Sequence, residues 1–208
     1  MAMMAAIFLD KDGTLLADVP YNVDPRRMRF APGALAGLAC LGRCGLPLIV
    51  ISNQAGIALG KFTVDDMAPM ISQMQSMFLL AGAALGGFYY CPHHPQGTVP
   101  AYARDCDCRK PAPGLLRRAA QDHAIDLGAS WFIGDILDDV EAGRRAGCNT
   151  LLIDNGNETE WRIDEWRVPH RIERNLDDAG RWVARWLATQ RIFPRVEAAK
   201  GRQHEHPS

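Results

Sequence analysis

The sequence predicts an α/β fold: one doubly wound parallel sheet with helices on both faces. Three observations predict it. Short continuous apolar runs recur along the chain and end in turn-forming or polar residues, as buried parallel strands do. Helical stretches separate these runs, and strand–helix alternation is the pattern of a parallel sheet. The first run, Ala5-Ala6-Ile7-Phe8-Leu9, leads directly into Asp10-Lys11-Asp12-Gly13-Thr14. Two carboxylates therefore emerge at a strand's carboxyl end, where open α/β sheets hold their ligands.

The elements follow in order. Ile7 to Leu9 is the first strand, and Gly13 allows the sharp turn behind it. Pro32 to Arg43 reads as a helix, with Pro at its start and Gly45 after its end. Cys40 and Cys44, four apart on it, read as buried core thiols rather than a metal pair. Leu46 to Ile51 is the second strand. Thr63 is expected to cap the next helix, with Asp65 and Asp66 in its first turn and Met67, Met70, Met74 and Met77 as its packing stripe. Phe88 to Tyr90 is a short strand, Gly114 to His123 a helix, Ser130 to Ile133 a strand, Val140 to Ala146 a helix, and Thr150 to Asp154 a strand. A last helix, Leu176 to Leu187, carries Trp182 and Trp186 on one packing face. Residues 1–190 are expected to form one domain and 191–208 a polar tail, in which His204 and His206 read as inert.

Composition excludes several classes of function. Lys and Arg number 23 against 24 Asp and Glu, a net charge of -1. That balance leaves no basic footprint for nucleic acid or an anionic membrane surface. No run approaches the roughly 18 apolar residues of a membrane span. The first residues lack the basic region of a secretory signal. Six cysteines in 208 residues do not make a disulfide scaffold. The expectation is a monomer in a reducing cytoplasm, acting on a small molecule.

Four clusters then carry chemistry. Asp10 and Asp12 offer a nucleophile and a proton carrier, if their environments differ. The second strand ends in Ser52-Asn53-Gln54, where a hydroxyl and a backbone N–H can hold a phosphoryl oxygen. Alone, that tripeptide is an ordinary strand-to-turn cap. Arg109-Lys110-Pro111 supplies two cations, one suited to bidentate phosphate contact and one a point charge. Gly134-Asp135-Ile136-Leu137-Asp138-Asp139 follows a strand and adds hard oxygen ligands of the kind Mg²⁺ prefers. A fifth cluster is separate. Cys91-Pro92-His93 and Cys106-Asp107-Cys108, twelve residues apart, offer three thiols and an imidazole to a closed tetrahedral Zn²⁺ site.

Asp10-Lys11-Asp12-Gly13-Thr14-Leu15 resembles the first motif of the haloacid dehalogenase (HAD) superfamily of phosphohydrolases, and the other three clusters follow in that superfamily's order. Gly56-Ile57, Gly60-Lys61-Phe62-Thr63 and Cys91-Pro92-His93-His94-Pro95 with Cys106-Asp107-Cys108-Arg109-Lys110-Pro111 resemble one branch, the heptose-bisphosphate and histidinol-phosphate phosphatases. The resemblance implies a HAD-like Rossmannoid sheet with a short zinc-bound loop at 91–108 and no large cap domain. It implies Mg²⁺ at Asp10, Asp12 and Asp135, and structural Zn²⁺ at Cys91, His93, Cys106 and Cys108, with His94 a spectator. It implies that Asp10 attacks phosphorus to form an aspartyl-phosphate and that Asp12 carries the proton, first to the leaving oxygen and then from water. Lys110 neutralises the phosphate, Ser52 and the N–H of Asn53 hold its oxygens, and Gln54 and Arg109 contact substrate. Asp18 to Tyr21 lies over the site, and Asp139 orders the fourth loop. The expected substrate is a sugar phosphate, foremost the C7 phosphate of a heptose 1,7-bisphosphate. Histidinol phosphate is the alternative. A phosphotransferase and a non-catalytic zinc module that binds a partner stand behind it.

Two positions depart from the heptose pattern. Leu59 stands where those enzymes tend to carry Arg, and Ile136 where they usually carry Lys. Two possible partners for a second phosphate are thereby absent, so substrate and anomer stay open.

Overall fold

Ile7–Leu9 (β1) is three apolar residues with no solvent exposure, the middle of a six-stranded sheet in this computed structural model, which describes residues 3–192. The strand order is β3-β2-β1-β4-β5-β6 and every pairing is parallel. The others are Leu48–Asn53 (β2), Leu85–Cys91 (β3), Trp131–Gly134 (β4), Asn149–Ile153 (β5) and Arg171–Glu173 (β6). The chain builds outward from β1 to β3, then returns to β4 on the other side of β1. Adjacent strands leaving β1 in opposite senses create a switch point, where a crevice opens at the carboxyl ends.

Strand residues alternate between two cores, as a period of two dictates. Ile7, Leu9, Val50, Ile133 and Leu151 face one apolar cluster with the helices Ala34–Gly42 (α1), Met67–Leu80 (α2) and Leu176–Ile192 (α5). Phe8, Ile49, Ile51 and Phe132 face the other, with Gly114–His123 (α3) and part of Leu137–Ala146 (α4). The Met stripe of α2 is buried throughout. Trp182 and Trp186 pack edge-on against Trp131, with ring centroids 5.0 and 5.2 Å away. Between β1 and α1 the only helical turn among the described residues is the 3-10 segment Pro25–Arg27, so no cap domain is inserted there.

Several local expectations are corrected. Strand β6 was not foreseen: it has three residues, sits at the sheet edge and carries two charges, so it shows no apolar run. Strand β3 starts earlier than Phe88 because Gly86 and Gly87 dilute its apolar signal while the backbone still pairs. Helix α4 starts at Leu137, three residues before Val140. Thr63 does not cap α2. Its N–H and hydroxyl donate to Asp66 Oδ2 at 2.7 and 2.8 Å, and the helix begins at Met67. Cys40 and Cys44 are half-buried rather than fully buried, Cys44 packing on the rim of the core just past the end of α1 at Gly42. Helix α5 extends to Ile192, two residues into the expected tail, and the rest of that tail, with His204 and His206, lies outside the described residues.

Candidate active site

Because β1, β2 and β4 are parallel neighbours, Asp10, Ser52 and Asp135 leave the sheet along one edge. Lys110 reaches the same place from the loop between β3 and α3. Its Nζ pairs with Asp10 Oδ1 and with Asp139 Oδ1 at 2.6 Å. Burial alone would lower its pKa, but those two carboxylates hold it above the ordinary range. Asn53 fixes the lysine from behind. Its side chain accepts from Lys110 N–H at 3.0 Å and donates to the Lys110 carbonyl at 3.1 Å.

Asp10, Asp135 and Asp139 bring carboxylate oxygens within 4.8 Å of one another. Both oxygens of Asp139 are engaged. One meets Lys110, and the other accepts from the backbone N–H groups of Asp135 and Ile136 at 3.2 and 3.3 Å. Gly134 permits this turn, since a Cβ there would lie 2.3 Å from the Asp139 side chain. Asp135 Oδ1 accepts from Thr14 Oγ1 at 3.0 Å and Oδ2 from Asn157 Nδ2 at 2.7 Å. Burial, then Asp10 and Asp139, push the Asp135 carboxyl up to about 8. Burial likewise raises Asp139 to about 7, against the pull of Lys110. Three crowded carboxylates facing one ammonium are short of positive charge. Such a set of hard oxygens fits a Mg²⁺ ion, and the engagement of Asp139 directs it to Asp10 and Asp135.

Asp12, expected among the magnesium ligands, keeps its side chain outside this cluster. Its Oδ1 pairs with Lys11 Nζ at 2.8 Å, and Lys11 is 1% exposed. Burial foremost raises the Asp12 pKa, opposed by Lys11 and aided by Asp10 and Asp18. About a third of the side chain still opens onto a cavity. A carboxyl whose pKa is raised, yet open to a ligand, suits an acid.

That cavity holds about 230 Å³. Asp12, Tyr21, Asn53, Gln54, Leu59, Phe62, His94 and Arg109 line it. Arg109 Nη1 is buried with no hydrogen-bond partner among the described residues. An unpartnered guanidinium N–H in a cavity wall is a ready anion contact. Gln54 Nε2 donates to Ser52 Oγ at 2.7 Å, so it holds the serine hydroxyl in place. Of the expected overlying loop, Tyr21 and its neighbour Asn22 line the cavity, while Asp18 is exposed and acts on Asp12 only through charge. Leu59 lines this cavity, whereas Ile136 lines a different surface hollow with Asp138 and Arg167. A larger groove of about 970 Å³ runs between β3 and α3, but it contains none of Asp10, Asp12, Ser52, Lys110 or Asp135.

The loop after β3 gathers Cys91, His93, Cys106 and Cys108. The sulfurs are 3.0 to 3.5 Å apart, and His93 Nδ1 lies 3.3 Å from Cys108 Sγ and 3.7 Å from Cys91 Sγ. A tetrahedron with Zn–S near 2.3 Å has edges of roughly 3.8 Å, so the set is slightly contracted and of the right shape. Burial and Arg104 lower the His93 pKa and keep the ring neutral, the form that ligates. With Arg104 Nη2 donating to His93 Nε2 at 2.9 Å, the ring proton sits on Nδ1.

Three site residues were not foreseen. Asn157 reaches Asp135 from the loop after β5, a segment with no apolar pattern or motif to mark it. Phe62 and His94 stand within motifs that mark the branch, but no role at the cavity was assigned to them; both line it.

Comparison with known proteins adds the lineage. The HAD-hydrolase-like family profile matches residues 107–179. The D-glycero-beta-D-manno-heptose-1,7-bisphosphate 7-phosphatase of Escherichia coli K12 is 40% identical over 183 residues, covering 88% of this chain and 90% of its own. The protein of the same name from Pasteurella multocida is 40% identical over 155 residues, covering 74% of this chain and 84% of its own. Among solved structures, a HAD-like phosphatase of Mesorhizobium loti superposes with a TM-score of 0.76 at 30% identity, over 94% of this chain and 90% of its own. The D,D-heptose 1,7-bisphosphate phosphatase of B. bronchiseptica, solved with magnesium and phosphate, gives 0.73 at 26% identity, over 88% of this chain and 99% of its own.

Proposed function

The chain belongs to the heptose-bisphosphate phosphatase family of HAD hydrolases, and from that membership we propose that it removes the C7 phosphate of D-glycero-D-manno-heptose 1,7-bisphosphate. The observation that carries a phosphatase reading is the buried meeting of Asp10, Asp135 and Lys110 beside the cavity that holds Asp12 and Arg109. The identity over nine-tenths of the E. coli relative supports the substrate.

Lys110 and Arg109 draw the phosphoryl group to Asp10, and Ser52 holds one of its oxygens. The Asp10 carboxylate attacks phosphorus, and the bond from phosphorus to the C7 oxygen breaks. Asp12 gives its proton to that oxygen. Asp12 then takes a proton from water, whose oxygen displaces Asp10 from phosphorus. Inorganic phosphate leaves and Asp10 returns as a carboxylate. A Mg²⁺ ion held by Asp10 and Asp135 supplies charge neutralisation at the phosphoryl oxygens. Cys91, His93, Cys106 and Cys108 would hold a Zn²⁺ ion as a closed four-ligand set, which would pin Arg109 and Lys110. The proposal includes a monomer in the reducing cytoplasm, where thiolate ligands stay free of disulfides.

Histidinol phosphate is the second reading, favoured by Leu59, which puts an apolar side chain in the cavity where a second phosphate would want a cation. The test compares kcat/KM for both anomers of the bisphosphate with histidinol phosphate, at saturating Mg²⁺. The expected order puts a bisphosphate anomer ahead by at least about tenfold, the worth of one charge-assisted contact. A clear lead for histidinol phosphate overturns the heptose assignment. Phosphate appearing on an added alcohol rather than free would mark a phosphotransferase.

A further inference from the structure

Beyond the metal ligands themselves, we infer that the segment Asn155 to Glu158 is a strap that orients Asp135 for its cation, with Asn157 as the positioning residue. The inference rests on the magnesium reading above.

Three side chains of this short segment cross to three separate parts of the site. Asn155 Nδ2 donates to the Gly13 carbonyl at 2.8 Å. Asn157 Nδ2 donates to Asp135 Oδ2 at 2.7 Å. Glu158 Oε2 accepts from Leu137 N–H, the first amide of α4, at 2.7 Å. The segment is also tied to itself, since Asn157 N–H donates to Asn155 Oδ1 at 3.0 Å. It thus joins the turn after β1, the carboxylate after β4 and the start of α4.

The contact with Asp135 has the properties of a tuned one. Asp135 receives one neutral donor on each oxygen, Thr14 on one and Asn157 on the other. Two fixed donors set the rotation of the carboxylate. Neither carries a charge, so neither competes with a cation for it. A lone pair on each oxygen stays free. The fit is close: a Cβ on Gly13 would lie 2.0 Å from Asp135 Oδ2 and 2.4 Å from Asn157 Nδ2. The bare Gly13 backbone, at φ +80, is what admits both groups. Partners of this kind, which orient a metal ligand without touching the metal, are each worth about 10–100-fold in affinity.

The test measures Mg²⁺ binding to the full-length protein by calorimetry, alongside thermal melting. Asn157→Leu keeps the branched outline in a somewhat larger side chain and removes the donor, and Asn157→Ala removes both outline and donor. Asn155→Ala removes the tie to Gly13 and the internal tie from Asn157 N–H, while leaving the Asn157 side chain that donates to Asp135. Asp135→Asn marks the site. The expected result is a rise in the Mg²⁺ Kd of about tenfold for both Asn157 variants. Asn155→Ala should change it less than about threefold, and kcat at saturating Mg²⁺ should fall far less than the affinity. An Asn157 Kd within twofold of wild type overturns the inference and leaves the magnesium reading intact. Equal losses for Asn155→Ala and Asn157→Leu also overturn it, since general anchoring of the loop would then explain the effect. Binding that Asp135→Asn does not diminish refutes the magnesium reading, and the strap with it.

Discussion

Asp10 and Asp12 differ by environment, not by chemistry. Asp10 lies against the Lys110 ammonium at the end of β1. Asp12 is pushed toward the protonated form, chiefly by burial, with Lys11 opposing. Asp10→Asn should abolish turnover while the protein still folds, since an amide of the same shape cannot attack phosphorus. Asp12→Asn should lose at least about 10²-fold in kcat, the usual scale for a general acid. Single-turnover phosphate release from both purified variants checks this, and appreciable release by Asp10→Asn would exclude a covalent route through that residue. The buried carboxylates after β4 add a pH dependence. Asp135 and Asp139 have their pKa values raised to about 8 and about 7 without a cation. They bind protons more tightly folded than unfolded, so they favour the fold at low pH and penalise it as pH rises toward 8. A cation must displace those protons, so its affinity grows over the same range. The Tm increase on adding Mg²⁺ should therefore be larger at pH 8 than at pH 6. A larger increase at pH 6 would contradict it.

The loop between β3 and α3 is the element on which the cations depend. It is long and without strand or helix, and besides its Cys/His cluster it is held by Thr98 and Val99, whose N–H groups donate to the Ala58 carbonyl at 2.7 and 2.9 Å, and by Asn53 on Lys110. Its two ends are firm: Cys91 closes β3, and Gly114 opens α3 against the Asp107 carbonyl, where a Cβ would approach to 2.4 Å. Purified protein should carry one zinc per chain. Cys106→Ser should release it, lower the Tm and cut kcat, although Cys106 touches no substrate. Metal analysis with parallel assays is the check. Zinc well below half an equivalent in wild type, or full activity in the zinc-free variant, would refute the pinning role. Elements with dense apolar patterns, such as β1, β2 and α2, were visible in the chain itself. Strand β6 and the loop after β5 were not, because an edge strand and a polar strap take their conformation from what they touch.

At the scale of the molecule, two helices fix the far face of the sheet. Helices α1 and α5 approach closely at Gly37 and Gly180. A Cβ on Gly37 would lie 2.4 Å from the Leu176 carbonyl. Gly37→Ala forces these backbones apart, and overpacking of this kind costs about 1–3 kcal/mol. In a domain of this size that lowers Tm by roughly 2–4 °C per kcal/mol. Catalysis at the opposite edge should be preserved, with kcat within about twofold, as expected for distant sites that do not couple. A melt and a kinetic assay on one preparation test both halves.

Sequence alone was enough to identify the parallel sheet and the lineage, and to single out the four polar clusters and the cysteine–histidine quartet that the fold brings together. Each is written in local order: apolar runs set strands, and ligand spacing sets a metal loop. Tertiary structure decided the rest. It committed Asp139 to Lys110 and two backbone amides, turned the Asp12 carboxylate toward Lys11, and assigned the side chains of Asn53 and Gln54 to holding Lys110 and Ser52. It separated Leu59 from Ile136 and brought Asn157 to Asp135 across 22 residues of chain. The physical reason is one of range. A residue's type fixes which bonds it can make, but the partner of a buried polar group is whichever donor or acceptor the sheet order brings within about 3 Å, and that order is a property of the whole fold.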